Sequence, residues 1–284
     1  MPNVREIYAT LRRQRHPARF LSGLLLSRTG ASRYFVMQRE GVKLRFFPSS
    51  MSLLCWADPA ARAEDHAFFR DALRTGDVVV DVGANVGTLA LSAARLVGPI
   101  GKVYAIEAHP RIFSYLRGNA KLNGFENIEL YNVALDARDG VVRFSDDRHD
   151  DGANAVVASE TPAPFEVAAR RLDDVVPGNE AIALLKLDVE GYEKFVLEGG
   201  PGVLARTNCV YFEAYDAHVA RFGYTVGDLF RLFEGAGFRV FRPENGRRLR
   251  PVDVGEGSPR CDNFVALRDV EAFERRTGYR RRAG

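Results

Sequence analysis

The sequence predicts an α/β domain with a mostly parallel, seven-stranded sheet and helices on both faces. Three observations carry this prediction. From Gly76 onward, short apolar runs alternate with helical stretches of roughly 10–15 residues, the order that builds βαβ units. The first run, Val78-Val79-Val80, leads through Asp81 into a glycine turn, Val82-Gly83-Ala84-Asn85-Val86-Gly87. The next run, Lys102 to Ile106, is followed at once by another acid, Glu107.

With 284 residues, 46% hydrophobic and 27% charged, the chain has enough material for a sizeable core. It shows no collagen period or low-complexity tract, and is too apolar for a disordered chain. The net charge of +3 is unevenly distributed. Up to Arg45 ten cations oppose only Glu6 and Glu40, and the end carries Arg275, Arg276 and Arg280 to Arg282. Only five of the 40 cations are lysine, which points to a coding bias toward arginine. Cys55, Cys209 and Cys261 match neither a CxxC pair nor a zinc spacing, so the expected compartment is reducing: the cytoplasm. The run Phe20 to Leu26 is too short to span a bilayer and lacks a cleavage site.

Three segments are expected: a basic N-terminal helix and β-hairpin extension (1–59), the main domain (60–270) and a basic C-terminal tail (271–284). Val4, Ile7, Tyr8 and Leu11 share one helical face among arginines. That pattern reads first as a helix packed on its own domain; contact with a membrane surface or partner is the sharper reading. Tyr34 to Phe47, broken at Arg39-Glu40-Gly41, reads as a β-hairpin, and a helix follows over Ala60 to Leu73. Within the main domain the predicted order is strand Val78 to Val80, helix Ala84 to Leu96, strand Lys102 to Ile106, helix Pro110 to Leu122 and strand Ile128 to Val133. A β-insertion at about 138–171 interrupts the alternation, and its acidic loop 145–152 reads as solvated. Strand Ile182 to Leu187, helix Tyr192 to Ala205, strand Cys209 to Phe212 and helix Val226 to Ala236 resume it. Phe238 to Phe241 with Phe264 to Leu267 form a closing antiparallel pair.

The chemistry concentrates at the strand ends. A glycine turn between a buried strand and a helix places backbone amides beside a ligand. Here the spacing is Gly-x-Asn-x-Gly, without the Gly-x-Gly-x-x-Gly of dinucleotide sites. Asp81 just before the turn repels a phosphate but suits the ammonium and sulfonium of S-adenosylmethionine. Glu107, one βα unit on, is placed to accept hydrogen bonds from both ribose hydroxyls. Two acids at consecutive strand ends exceed what helix capping alone predicts.

Asp81 to Gly87, Glu107-Ala108-His109-Pro110, Asn119 to Gly124, Asn132-Val133-Ala134-Leu135 and Leu187-Asp188-Val189-Glu190-Gly191-Tyr192-Glu193 together resemble the FkbM-type methyltransferases. The resemblance covers roughly residues 60 to 242. It implies a Rossmann-like class I methyltransferase fold, S-adenosyl-L-methionine as methyl donor, and hydroxyl oxygens of sugars or natural products as acceptors. Carried over, Asp81, Gly83, Asn85 and Gly87 line the methionine end and Glu107 the ribose. Ala134 stands where many class I methyltransferases place an acid against the adenine amine, so adenine recognition falls to backbone groups from Asn132 to Leu135.

Asp188 and Glu190 follow the fourth strand, where open α/β sheets bind ligands, and their i,i+2 spacing puts both on one side of an extended chain. A structural alternative has Asp188 ordering the turn and Glu190 capping the next helix. Methyl transfer from a sulfonium is an in-line displacement that needs an aligned hydroxyl and a proton acceptor. Asp188 and Glu213 rank first for those tasks, with Glu190 and His218 as further candidates. Asp188, Glu190 and Glu213 also make a hard-oxygen set, but no metal is expected to be required. Two other functions stay open: a nucleic-acid or other N-methyltransferase, and a non-catalytic adenosylmethionine-binding protein. Acid at Asp188 and Glu190, where a phosphate backbone would approach, weighs against nucleic acid as partner. The expected partner is a small-molecule, glycan or natural-product acceptor.

Overall fold

The computed structural model describes residues 14–146, 156–157 and 165–282. The helix expected over Val4 to Leu11 and most of the acidic loop lie outside them. The first described element is α1 (Pro17–Arg28), whose Gly23 faces Leu53 and Trp56 of α2 (Ser50–Ala57). Trp56 Nε1 donates to Ser22 Oγ at 3.0 Å, which fixes the register of the pair.

Between these helices lies the expected hairpin, β1 (Val36–Arg39) and β2 (Val42–Arg45). Its two-residue turn has Glu40 at φ 46° and Gly41 at φ 77°, the left-handed pair that matches the twist of the strands. Val42 and Leu44 turn inward onto Leu91 and Ala120, while Asn119 and Asn123 accept the backbone N–H groups of Arg45 and Lys43 at 2.8 Å. The hairpin is thereby stapled to the main domain.

The main sheet begins after α3 (Ala63–Ala72). It contains β3 (Val78–Val82), β4 (Lys102–Ile106), β5 (Ile128–Tyr131), β9 (Ile182–Leu187), β10 (Cys209–Ala214), β11 (Arg239–Glu244), β12 (Arg248–Pro251), β13 (Asp262–Leu267) and β14 (Arg280–Arg281), in the order β14-β12-β11-β13-β10-β9-β3-β4-β5. The parallel half runs from β10 to β5, and β13 pairs antiparallel with both β10 and β11. The sequence expectation of seven strands is corrected to nine, because β12 and β14 extend the sheet beyond β11, β12 antiparallel to β11 and β14 parallel to β12. Within the segment expected as a basic tail, Val270–Thr277 forms α11 and Arg280–Arg281 forms β14. Arg276 pairs with Asp77 and Arg281 with Glu271 and Glu274.

Helices α4 (Thr88–Val97) and α5 (Pro110–Asn123) connect the first three parallel strands. Burial on both faces explains the unbroken apolar runs of the central strands. Val79, Val103 and Leu184 pack on one side, Val80, Ile106, Leu185 and Phe212 on the other. Helix α4 starts at Thr88 instead of Ala84, since Gly83, Asn85 and Gly87 all have positive φ. Strand β5 stops at Tyr131, and Ala134–Leu135 forms β6 in a separate small sheet with β8 (Phe165–Arg170) and β7 (Gly140–Phe144), the expected insertion. A helix α6 (Leu172–Val175) returns the chain to β9. The predicted helix Tyr192 to Ala205 is instead two, α7 (Glu193–Glu198) and α8 (Pro201–Ala205). Between them Gly199 packs against the Asp136 carbonyl oxygen, which an added Cβ would approach to 2.1 Å. Short α9 (Asp216–Val219) and the amphipathic α10 (Val226–Gly235) complete the layer between β10 and β11.

The chain leaves β3 toward β4 and β5 and returns on its other side through β9 and β10. The gap between the C-terminal ends of β3 and β9 is therefore the switch point, where such sheets bind ligands.

Candidate active site

Gly83 marks the switch point. Its φ is +74°, and a Cβ there would stand 1.9 Å from the Asp188 carbonyl oxygen, so the loops after β3 and β9 touch through a position only glycine fills. Asn85 adopts φ +51°, with its side-chain Oδ1 accepting Val86 N–H at 2.8 Å. Its backbone N–H donates to Glu107 Oε2 at 2.9 Å, and His109 N–H donates to Glu107 Oε1 at 2.8 Å. Burial pushes the Glu107 carboxyl up to about 7.

These residues open onto a cavity of ≈ 530 Å³, within the range of small-ligand sites of about 300–1,000 Å³. Gly83, Asn85, Glu107, Ala134, Asp188, Glu190, Glu213 and His218 line it. Asp81, Gly87 and Asn132 do not. Gly87 packs instead on α5, where a Cβ would meet Leu116 at 2.7 Å. Asn132 donates to the carbonyls of Glu107 and Ala108 at 2.9 Å, turning the chain out of the main sheet.

Asp81 belongs to a charge network that the sequence did not reveal. In the β3–β9 register it stands opposite Lys186, and Lys186 Nζ lies 3.1 Å from Asp81 Oδ1. The Asp81 carboxylate is wholly buried and otherwise makes no hydrogen bond among the described residues. The same ammonium donates to the carbonyls of Gly83 and Val82 at 2.7 and 3.2 Å and faces Asp188 Oδ2 at 3.5 Å. From the opposite side Arg62 Nη2 approaches Asp188 Oδ2 at 3.5 Å, while Arg62 Nε is bound to Asp65 at 2.8 Å. Asp65 in turn accepts from Tyr211 and Asn263. Five charges thus alternate: Asp65, Arg62, Asp188, Lys186, Asp81. Burial pushes the Asp188 carboxyl up, but Lys186 and Arg62 outweigh it and hold the group below its ordinary value.

Beyond Asp188 the backbone turns back on itself, with Glu190 at φ +58° and Gly191 at φ +98°. Glu193 Oε1 accepts the Val189 and Gly191 N–H groups at 3.2 Å, and Tyr224 Oη donates to the Gly191 carbonyl at 2.7 Å. This turn, and not an extended strand, brings Asp188, Glu190 and Glu213 within 4.8 Å of one another. Burial, then the Asp188 charge, push Glu213 up to about 7 and Glu190 up to about 8. His218 Nδ1 lies 3.1 Å from Glu190 Oε2, and burial lowers its pKa. We assign no metal to this cluster: the Asp188 charge already faces two cations, Lys186 and Arg62.

The donor set suits adenosylmethionine. An apolar wall of Ile112, Val133, Leu135 and Phe144 can pack an adenine, Glu107 offers its remaining lone pairs, and the ionised Asp188 matches a sulfonium or ammonium. Sequence reasoning missed Arg62 and Lys186. The available signal for Lys186 was a cation inside an apolar run in an arginine-rich chain; Arg62 had none.

The chain is similar to known proteins. A model of the methyltransferase FkbM domain matches residues 81–240. The 2-O-methyltransferase NoeI of Sinorhizobium fredii is 29% identical over 157 residues, covering 49% of this chain and 63% of that protein, so the match spans under two thirds of its length. The 31-O-demethyl-FK506 methyltransferase FkbM of Streptomyces tacrolimicus is 33% identical over 201 residues, 59% of this chain and 75% of that one. Among solved structures, a methyltransferase from Pyrococcus furiosus aligns over 88% of this chain and 98% of its own with a TM-score of 0.45 and 16% identity. With the family model running through more than half of its residues, from the β3 turn to β11, the chain belongs to the FkbM family of methyltransferases.

Proposed function

We propose that the protein is an S-adenosylmethionine-dependent O-methyltransferase acting on a hydroxyl of a sugar or natural product in the cytoplasm. One observation carries this reading: the switch-point cavity is lined by the Glu107 carboxylate, by the acidic cluster at Asp188 and by an apolar wall. Of the relatives above, one is named a 2-O-methyltransferase and the other a 31-O-demethyl-FK506 methyltransferase. Residues before Ala60 complete the acceptor side through Ser50, Met51 and Leu54. A nucleic-acid acceptor is disfavoured because the cavity is acidic and Arg276 and Arg281 of the C-terminal segment are paired within the domain.

Adenosylmethionine, when bound, supplies an electrophilic methyl on sulfur. Asp188, held ionised by Lys186 and Arg62, orients the acceptor hydroxyl by accepting its hydrogen bond. Glu213, with a carboxyl near 7, is the proton acceptor best matched to neutral pH. Glu190 is protonated below about 8 and can donate to His218 Nδ1. That leaves the other ring nitrogen, Nε2, carrying hydrogen, which removes His218 as a base.

Screening labelled methyl transfer onto nucleotide sugars and glycan ends tests the reading. Turnover on a hydroxyl is expected; adenosylmethionine binding without transfer to any acceptor would favour a non-catalytic binding protein, and transfer to an amine an N-methyltransferase. Affinity for adenosylhomocysteine is expected to rise with pH toward about 7, because only ionised Glu107 accepts from both ribose hydroxyls. One coupled proton allows at most about ten-fold per pH unit. Glu107→Gln should weaken binding about ten-fold and remove that share of the slope. Calorimetry showing an unchanged slope in Glu107→Gln would take Glu107 away from the ribose.

A further inference from the structure

We propose that the outer face formed by α1 and the segment leading into β1 is a docking surface for an anionic lipid bilayer. Among the described residues, eight large hydrophobic side chains are exposed, and six of them fall between positions 21 and 54. Leu21 and Leu25 stand one helical turn apart on α1, 46% and 64% exposed, and are followed by Tyr34 at 72%, Phe35 at 41% and Val36 at 46%. The inner side of α1 is already occupied, with Gly23 against Leu53 and Trp56. The leucines therefore have no place in the core.

Charge identifies the occupant. Between residues 14 and 57 the only acid is Glu40, and it pairs with Arg70. Arg15, Arg19 and Arg28 are exposed and take part in no ion pair among the described residues. Arg33 lies over the Tyr34 ring, 4.9 Å from its centroid, an aromatic and cation pair suited to the headgroup layer. Apolar side chains rimmed by unopposed cations, with no acid among them, fit a negatively charged lipid surface. A second copy of the chain fits poorly, because two such faces would bring their unpaired arginines together. Since α1 packs on α2, and α2 lines the cavity through Ser50, Met51 and Leu54, docking would hold the acceptor side one helix away from lipid. The surface itself does not depend on the methyltransferase reading.

The test is co-sedimentation of the full chain with phosphatidylcholine vesicles, with and without about 30% phosphatidylglycerol, at about 0.1 M salt. Binding is expected only to the anionic vesicles and should fall as salt is raised. Leu21→Asp with Leu25→Asp, and separately Arg19→Glu with Arg28→Glu, should each weaken it by about ten-fold or more. All four positions are exposed and outside the catalytic site, so thermal stabilisation by adenosylhomocysteine should match wild type and report a folded protein. The proposal fails if wild type ignores anionic vesicles or if both double variants bind as wild type. It fails equally if the leucine variant still binds and deletion of residues 1–13 abolishes binding, which moves docking to that segment. Light scattering that shows a wild-type dimer made monomeric by the leucine substitutions would assign the face to self-association instead.

Discussion

Lys186→Met is expected to destabilise the protein by about 3–5 kcal/mol, the loss typical of removing one partner from a buried ion pair. Among the described residues, the Lys186 ammonium is the only ion-pair partner of the wholly buried Asp81 carboxylate. It also binds the carbonyls of Val82 and Gly83, which shape the cofactor turn. Methionine replaces the volume but leaves Asp81 to be desolvated as an anion or protonated against its ordinary preference. Such a loss is a large fraction of a typical domain stability of about 5–15 kcal/mol. Adding Asp81→Asn should recover much of it, because a neutral amide tolerates burial better than an unpaired carboxylate. Denaturant unfolding of the two single variants and the double decides the matter. If Lys186→Met costs no more than an ordinary surface change, or Asp81→Asn brings no recovery, the strand pair is not held by charge.

The same pair shows where sequence reasoning reached and where it stopped. The glycine turn was legible because its demand is local: Gly83 and Gly87 have positive φ, and the Gly-x-Asn-x-Gly spacing records that directly. Glu107 was legible as the residue after a buried strand. Asp81 was assigned to the methionine end because strand position tells which residues are near the ligand, not which way a side chain leans. Its partner Lys186 lies on a strand more than a hundred residues away, joined only by the β3–β9 register. Arg62 reaches Asp188 from the start of α3, outside every motif. The convergence of Asp188 and Glu190 was anticipated from extended spacing, yet β9 ends at Leu187 and a left-handed Glu190 produces it. The strand count fell short for a similar reason. Strand β12 has Leu249 as its only fully buried side chain, and β14 is two arginines at the sheet edge. Neither shows a hydrophobic period, and edge strands are commonly short and charged.

Glu213→Gln is expected to lower turnover by about 10²–10⁴-fold, the usual contribution of a positioned base, while leaving adenosylhomocysteine binding within a few-fold of wild type. The wild-type rate should rise with pH through about 7, since burial and the Asp188 charge raise the Glu213 carboxyl to that value and only its ionised form accepts the proton. Asp188→Asn separates the two roles. Removing the negative charge relieves Glu213, so the rising limb should move to lower pH even as turnover falls through poorer orientation of the hydroxyl. His218→Asn should leave the limb in place, because Glu190 holds a proton at neutral pH and keeps the imidazole a donor toward the cavity. Rate–pH profiles of the three variants, taken with the true acceptor, distinguish these roles. Wild-type turnover in Glu213→Gln, or a limb that disappears in His218→Asn, would transfer the base from the end of β10 to α9.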